Sequence, residues 1–119
     1  MKILLLEDEI VLGETFKQLL EILGQEVVWV KSKKEVVSLI ESGALEDIEV
    51  GIFDFYLPDG DFREVYDVLD LNGLLKDFKI VVCSATSVDE DIQFVKSKSL
   101  EFLPKPFTLE GLSNKLKLD

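Results

Sequence analysis

Five polar residues that can bind a cation or an anion lie close behind short apolar runs of the sequence: Glu7, Asp8, Asp54, Ser84 and Lys105. Three carboxylates in one crevice repel each other. Grouped hard oxygen ligands of this kind suit Mg2+, which also binds waters and phosphoryl oxygens. A lysine ammonium and a serine hydroxyl beside the cation would bind the same anionic group. If the fold brings the five side chains together, the chemistry that they support is phosphoryl transfer.

The apolar runs have the composition of parallel strands that are buried on both faces. They are nearly continuous in apolar residues and rich in β-branched or aromatic ones: Ile3–Leu6, Val27–Val30, Val50–Phe53, Ile80–Cys83 and Phe102–Leu103. Between and after them, apolar residues recur at the three- or four-residue spacing of amphipathic helices. The five helical patterns contain Leu12, Phe16, Leu19, Leu20 and Leu23; Val36, Val37 and Ile40; Phe62, Val65 and Leu69; Val88, Ile92 and Val95; and Leu109, Leu112 and Leu116.

The predicted helix ends agree with this division. Ser32 with Glu35, and Ser87 with Glu90, match the capping box that satisfies two backbone N–H groups at a helix start, so they predict where the second and fourth helices begin. Glycines follow the first three helical patterns, where a left-handed residue often ends a helix: Gly24, Gly43 and Gly73. The sequence therefore predicts five strand-helix units.

Those units predict an α/β fold of the (βα)5 class, a doubly wound three-layer sandwich in a single domain over residues 1–119. βαβ crossovers are almost always right-handed, so five such units give three layers, and the expected sheet is five-stranded and parallel, of order 2-1-3-4-5. In that order the first and third strands are neighbours. Glu7, Asp8 and Asp54 would then converge at the carboxyl ends of the strands, where such folds bind ligands.

Composition limits the classes of function. The formal net charge is −11, from 24 acidic and 13 basic residues, and no basic cluster is long enough to follow a phosphate backbone, so direct nucleic-acid binding is not expected. The single cysteine, Cys83, excludes an internal disulfide, and the lack of histidine excludes imidazole chemistry. No apolar run approaches the roughly 18 residues of a membrane span. We expect a cytoplasmic protein that does not enter a membrane.

Each residue of the set also has an ordinary structural interpretation. Glu7-Asp8-Glu9 alone is typical of a solvated helix start, and Asp54 alone is typical of a residue that begins an Asx turn. Ser84 alone fits a strand end, and Lys105 alone fits a surface lysine between two prolines. These interpretations do not predict that the whole set lies at one edge of the sheet, and this favours the functional interpretation.

Four motifs occur in order along the chain: LLLEDE at 4–9, GIFDFYLPDGDF at 51–62, VVCSAT at 81–86 and FLPKPF at 102–107. As an ordered set they are specific, and over its whole length the sequence resembles the receiver domain of two-component response regulators. The resemblance implies that Asp54 accepts a phosphoryl group from a histidine kinase. Two positions depart from the family pattern: Phe62 stands where a glycine usually opens the third helix, and Lys98-Ser99-Leu100 replaces an Ala/Gly-containing turn.

The resemblance also implies a metal site for Mg2+. Asp8 corresponds to the direct carboxylate ligand, and Glu7 corresponds to an acidic neighbour that acts largely through water. Asp54 itself belongs to the site. Tyr56 would supply its backbone carbonyl, so that the type of its side chain matters less.

Further residues are implied to bind the phosphoryl group and to respond to it. Ser84 and Lys105 correspond to the hydroxyl and ammonium that hold the phosphoryl oxygens, and the peptide bond from Lys105 to Pro106 is expected to be cis. Phe102 corresponds to an aromatic residue that rotates after phosphorylation. Its rotation would change the surface formed by the fourth helix, the fifth strand and the fifth helix.

The implied protein is a signalling phospho-acceptor that catalyses only its own phosphorylation and dephosphorylation. Its partners would be a sensor histidine kinase or phosphotransfer protein and an output domain or target, with homodimer formation and control of transcription left open. One alternative is an interaction-only receiver, although such proteins typically lose the acidic pair, the acceptor or the lysine. Another is an aspartate-nucleophile phosphohydrolase, which needs a second aspartate where Tyr56 stands. Flavin or dinucleotide binding is disfavoured because EDEIVLG after the first strand is not a glycine-rich phosphate loop.

Overall fold

Five parallel strands form the main sheet of the computed structural model, which describes residues 1–85, 88–105 and 109–116. The strands of the protein are β1 (Lys2–Leu6), β2 (Glu26–Val30), β3 (Val50–Asp54), β4 (Tyr56–Leu57), β5 (Gly60–Asp61), β6 (Lys79–Ser84) and β7 (Glu101–Pro104). The main sheet has the order β2-β1-β3-β6-β7, and β4 and β5 form a separate antiparallel hairpin. Because β4 and β5 belong to the hairpin, β6 and β7 are the fourth and fifth strands of the main sheet. The predicted 2-1-3-4-5 order is therefore confirmed.

Helices cover both faces of the main sheet. They are α1 (Ile10–Ile22), α2 (Lys33–Glu41), α3 (Phe62–Leu71), α4 (Asp89–Ser97) and α5 (Leu109–Leu116). Alternate residues of each strand point to opposite faces, so β1 sends Leu4 and Leu6 into one apolar cluster and Ile3 and Leu5 into the other. The first cluster contains buried residues of α2, α3 and α4, and the second contains those of α1 and α5. The predicted three-layer sandwich is therefore confirmed.

Two residues of the predicted helical patterns are exposed in the described part of the chain. Val88 precedes α4 and is 49% exposed, because the buried face of α4 runs through Asp91 and Val95 instead. Leu23 follows the last residue of α1 and is also exposed. In the final pattern Leu112 is buried, whereas the side chains of the other two members, Leu109 and Leu116, lie outside the described residues.

The helix starts differ in part from the capping predictions. The Ser32 hydroxyl accepts a hydrogen bond from the Glu35 backbone N–H, as predicted, but the Glu35 carboxylate accepts from Lys31 N–H rather than from Ser32. A complete capping box occurs instead at the start of α3, between Asp61 and Glu64. For α4, which begins at Asp89, the predicted partner of Glu90 is Ser87, and Ser87 lies outside the described residues.

The predicted helix ends are confirmed. Gly24, Gly43 and Gly73 follow α1, α2 and α3 with φ angles of +84°, +73° and +68°, a left-handed conformation that costs glycine little. Ser99 takes the equivalent position after α4 at a φ of +58°. A side chain in this conformation is strained, and two backbone hydrogen bonds to the last turn of α4 hold it there, from Ser99 to Lys96 and from Leu100 to Val95.

The loop between β3 and α3 is folded on itself as the β4–β5 hairpin. Phe62 N–H donates to the Phe55 carbonyl over 2.7 Å, and the Asp59 carboxylate accepts from the first backbone N–H groups of α2, at Lys33 and Lys34. Phe62 itself is fully buried and contacts Phe53 and Phe55 at ring distances of 5.9 and 6.1 Å. The buried ring of Phe62 therefore packs the end of this loop against the core, at the position where the family pattern has a glycine.

Candidate functional site

The sequence-predicted site residues gather at the carboxyl edge of the main sheet. Asp54 is the last residue of β3 and Ser84 the last of β6, and Lys105 follows β7 directly. The sheet register brings these ends together, since Asp54 pairs with Cys83. One open cleft is lined by Asp8, Glu9, Asp54, Tyr56, Ser84, Ala85 and Lys105. The convergence predicted from the strand order is therefore present.

Lys105 lies between two of the carboxylates. Its ammonium Nζ is 2.6 Å from Glu7 Oε1 and 3.2 Å from Asp54 Oδ2. Its backbone N–H also donates to the Ser84 carbonyl over 2.8 Å, which fixes the start of the segment after β7 against the end of β6. The Glu7 side chain is only 4% exposed, so its charge depends on this lysine for compensation.

The acidity of Asp54 reflects this crowding. Burial, together with the nearby negative charge of Glu7, raises the pKa of Asp54 to about 6, although the positive charge of Lys105 opposes both effects. For Lys105, burial acts to lower the pKa, but the hydrogen bond to Glu7 and the charge of Asp54 outweigh it, so the pKa lies above its ordinary value. At neutral pH, Asp54 is therefore ionised and Lys105 is protonated.

The same edge offers a ligand set for a cation. One carboxylate oxygen from each of Glu7, Asp8 and Asp54 lies within 4.8 Å of the other two. Three carboxylates against the single Lys105 ammonium leave two negative charges uncompensated within this group. Hard carboxylate oxygens with excess negative charge in an open cleft fit Mg2+, which binds a few carboxylates and keeps several waters. Asp8 is exposed and so accessible to an incoming ion.

Ser84 and Phe102 lie on adjacent strands. The Ser84 side chain is 2% exposed at the end of β6, and Phe102 of the neighbouring β7 pairs with Val82. Phe102 is half-buried and lines a groove between α4, β7 and α5 with Ile92, Lys96, Leu100, Glu101, Pro104 and Lys115. The expected cis bond between Lys105 and Pro106 lies outside the described residues, because the structure does not describe Pro106.

The side chain of Tyr56 has a contact that its expected backbone role does not include. Its hydroxyl donates a hydrogen bond to the carboxylate of Asp91 on α4, while the residue lines the cleft and is about half exposed. Arg63 of α3 binds the other oxygen of Asp91. Sequence patterns missed Arg63 and Asp91, because the predicted apolar face of the fourth helix ran through Val88, Ile92 and Val95 and gave no signal of a buried charge.

Trp29 is a second neighbour of the site that the sequence patterns missed. Its indole Nε1–H donates to the backbone carbonyl of Glu7 over 2.9 Å. The ring lies against α1 at Gly13, where any Cβ would overlap it. A tryptophan at the carboxyl end of β2 signals such a contact, because a half-buried indole N–H requires an acceptor.

The fold and the site together define a class: a doubly wound α/β domain with an acidic cleft and one lysine at the switch point of its sheet. A family model of the response regulator receiver domain matches residues 3–117. The chain therefore belongs to the response regulator receiver domain family. A related protein is the swarming motility regulation protein RssB of Serratia marcescens, 28% identical over 118 residues. This match covers 98% of the chain but 52% of that regulator, so the chain spans about half the length of this relative.

Solved structures agree with this assignment. The non-phosphorylated HemR receiver domain from Leptospira biflexa has a TM-score of 0.83 and 28% identity, covering 98% of this chain and 90% of that one. A CheY-like response regulator receiver domain protein from Methanospirillum hungatei JF-1 also has a TM-score of 0.83, with 25% identity and the same coverage of both chains. In the part of the chain that the structure describes, no helix has the length and apolar character needed to cross a membrane.

Proposed function

We propose that this receiver domain accepts a phosphoryl group on Asp54 in a Mg2+-dependent reaction with a sensor histidine kinase or a phosphotransfer protein. The observation that carries the proposal is the position of Asp54: it lies in an open cleft, within 4.8 Å of two further carboxylate ligands and beside the Lys105 ammonium. A structural aspartate does not need this combination of excess negative charge, access and a shared cation.

In the proposed reaction a carboxylate oxygen of Asp54 attacks phosphorus. The new oxygen–phosphorus bond forms as the nitrogen–phosphorus bond of a phosphohistidine breaks, so the phosphoryl group moves and the histidine leaves. Asp54 needs its ionised form for this attack, and a pKa of about 6 leaves it mostly ionised at neutral pH. The raised pKa of Lys105 keeps its ammonium charged beside the accepted group.

The proposed metal ligands are Glu7, Asp8, Asp54 and the backbone carbonyl of Tyr56, with Glu7 acting largely through water. Bound Mg2+ supplies positive charge that offsets the repulsion between the Asp54 carboxylate and the incoming phosphoryl oxygens. Of the four, the described carboxylates form one cluster of hard oxygen donors, which supports this assignment. The Lys105 ammonium and the Ser84 hydroxyl are proposed to hold the remaining phosphoryl oxygens.

The proposed response runs from Ser84 to Phe102. Phosphoryl oxygens on Asp54 would draw the Ser84 hydroxyl toward them, and Phe102 on the adjacent strand would rotate into the space beside β6. Phe102 is half-buried at the groove between α4, β7 and α5, which supports its role in changing that surface. Ser84→Ala is expected to accept phosphate but to show smaller NMR shifts at Phe102 and over residues 88–98 with beryllium fluoride and Mg2+. Full wild-type shifts in that variant would contradict this route.

The proposed output lies in another domain or another protein. The match to a regulator of about twice this length supports a receiver that acts on an attached output domain. We propose that residues 1–119 form one receiver domain, located in the cytoplasm, that does not itself contact nucleic acid, because its net charge is −11.

Incubation with Mg2+ and a small-molecule acyl phosphate tests the proposed reaction. Intact-mass spectrometry is expected to find one added phosphoryl group on the wild type, labile to hydroxylamine as an acyl phosphate should be, and none on Asp54→Asn. A matched control is Asp61→Asn, which changes the same side chain on the same loop outside the acidic cluster. Equal labelling of Asp54→Asn and the wild type would contradict the assignment of Asp54.

A further inference from the structure

Asp91 is an acidic residue on the buried face of α4. It is 3% exposed, and both of its carboxylate oxygens have partners: the Tyr56 hydroxyl donates to Oδ2, and Arg63 Nη2 donates to Oδ1 over 2.7 Å. We call these three residues the Tyr56–Asp91–Arg63 clamp. A buried charge costs desolvation free energy, so an aspartate at a position where an apolar residue would pack requires a compensating arrangement.

The arginine of the clamp is itself held from several sides. Arg63 Nη1 binds Asp61 Oδ2 over 3.1 Å. Its guanidinium lies 5.0 Å from the ring centre of Phe55 and 5.6 Å from that of Phe94 on α4, within the range of cation–π contacts. The clamp therefore has a defined geometry rather than that of a mobile surface ion pair, and it joins the loop after β3 to α3 and α4.

The clamp begins two residues after Asp54. Other described contacts of this loop run to α2, through Asp59, and to the first residue of α3, through Phe62. Among the described residues, the hydrogen bond from the Tyr56 hydroxyl to Asp91 connects this loop directly to α4. Tyr56 therefore both lines the cleft and, through its hydroxyl, binds Asp91 of α4.

We propose that Tyr56 is a positioning residue that couples the acidic cleft to α4 through its hydroxyl bond to Asp91. The proposal rests on the proposed function, in which the Tyr56 carbonyl is a metal ligand. Asp91 fixes the Tyr56 side chain and so the direction of that carbonyl. By thermodynamic reciprocity, an ion that fixes the carbonyl also biases α4 through the same bond. This connection is separate from the one through Ser84 and Phe102, because it involves neither β6 nor β7.

Removal of the Tyr56 hydroxyl is the direct test. In Tyr56→Phe, calorimetry is expected to give about 5-fold weaker Mg2+ binding, at the low end of the range for coupled sites. On Mg2+ addition, the amide NMR shifts of residues 89–97 are expected to fall to less than about half of their wild-type size, because the coupling between the cleft and α4 is lost. Neither measurement depends on phosphoryl transfer.

The other tyrosine of the chain is a matched control. Tyr66 of α3 packs its ring on Phe62 and Phe94 in the same aromatic cluster, so Tyr66→Phe deletes an equivalent hydroxyl near the clamp. This variant is expected to keep wild-type Mg2+ affinity and wild-type shifts at residues 89–97. Asp91→Asn is a second probe that preserves side-chain shape. Combined with Tyr56→Phe it is expected to weaken Mg2+ binding no more than either change alone, because both break one connection.

Wild-type affinity and full shifts at residues 89–97 in Tyr56→Phe would overturn the clamp and leave the proposed function intact. The clamp would also be overturned if the losses of Mg2+ affinity in Tyr56→Phe and Asp91→Asn added in the double variant. The proposed function fails separately, if the wild type shows metal-linked shifts but gains no phosphoryl group on Asp54. If Tyr66→Phe lost the same shifts as Tyr56→Phe, a general loosening of the aromatic cluster would replace the clamp as the explanation.

Discussion

Two charged clusters of similar composition flank the loop after β3, and each contains two carboxylates that share one basic residue. In the cleft, Lys105 contacts Glu7 and Asp54. In the second cluster Arg63 contacts Asp61 and Asp91, its two terminal nitrogens binding one carboxylate each. The forked guanidinium matches two acceptors with fixed geometry, whereas the ammonium of lysine is a point charge.

The two clusters differ in how much negative charge remains uncompensated. In the clamp, Asp91 also receives the Tyr56 hydroxyl, and the hydrogen bond to Asp91 raises the pKa of Arg63 despite its partial burial. In the cleft, the third carboxylate of Asp8 adds charge and the pKa of Asp54 rises to about 6. Excess charge in an accessible cleft therefore distinguishes a site for chemistry from a polar cluster that holds elements together.

The largest expected effect is on Mg2+ affinity, and it distinguishes Asp8 from Glu7. Asp8→Ala removes a proposed direct ligand, so Mg2+ affinity measured by calorimetry should fall more than about 100-fold, beyond the range for residues that only orient a ligand. Glu7→Gln, acting through water, should cost about 10-fold. The control is Glu9→Ala, which removes an equal charge that also lines the cleft. Equal losses in Asp8→Ala and Glu9→Ala would reduce the metal site to general electrostatic attraction.

The next effect compares the two basic residues. Arg63→Met leaves the buried Asp91 without its cation, so the free energy of unfolding should fall by about 2 kcal/mol in urea titrations. Lys105→Met leaves the equally buried Glu7 without its cation and should cost a similar amount, but Mg2+ bound in the cleft should recover part of that loss and none of the loss in Arg63→Met. A loss in Lys105→Met that Mg2+ does not reduce would contradict the roles assigned to the two clusters.

The smallest effect is a pH dependence in the metal-free protein. The folded-state pKa of Asp54, about 6, lies above its unfolded value of about 3.9. The contribution of Asp54 to stability is therefore present below about pH 4 and lost as the pH rises through about 6. Asp54→Asn should exceed the wild type in stability at neutral pH by about 1 kcal/mol, after allowance for solvent screening, and the gap should close in acid. A gap that does not vary with pH would contradict the raised pKa.

Much of the fold could be predicted because its signals are local. The apolar runs coincide with the five strands of the main sheet, each observed strand being slightly longer than predicted, and Gly24, Gly43 and Gly73 end their helices as expected. The convergence of the cleft residues followed from one rule about strand order. It required no side-chain detail, because each cleft residue lies at or just after the carboxyl end of a buried strand.

The clamp could not be predicted because its members are remote in sequence and depend on helix rotation. Tyr56 and Asp91 are 35 positions apart, and Asp91 reaches Tyr56 only because α4 turns this residue toward the core. The apolar spacing favoured a face through Val88 instead, which the structure leaves exposed. The contact of Trp29 with Glu7 likewise depends on how β2 pairs with β1, which the composition of neither strand reveals.

The most direct test of the difference between the two clusters is to find which of their carboxylates accepts a phosphoryl group. Wild type, Asp54→Asn, Asp61→Asn and Asp91→Asn are treated with an acyl phosphate at saturating Mg2+, and the label is located by peptide mass spectrometry. One phosphoryl group on Asp54 is predicted in the wild type, in Asp61→Asn and in Asp91→Asn, and none in Asp54→Asn. A label that persists in Asp54→Asn, or that maps to Asp61 or Asp91 in the wild type, would contradict the account.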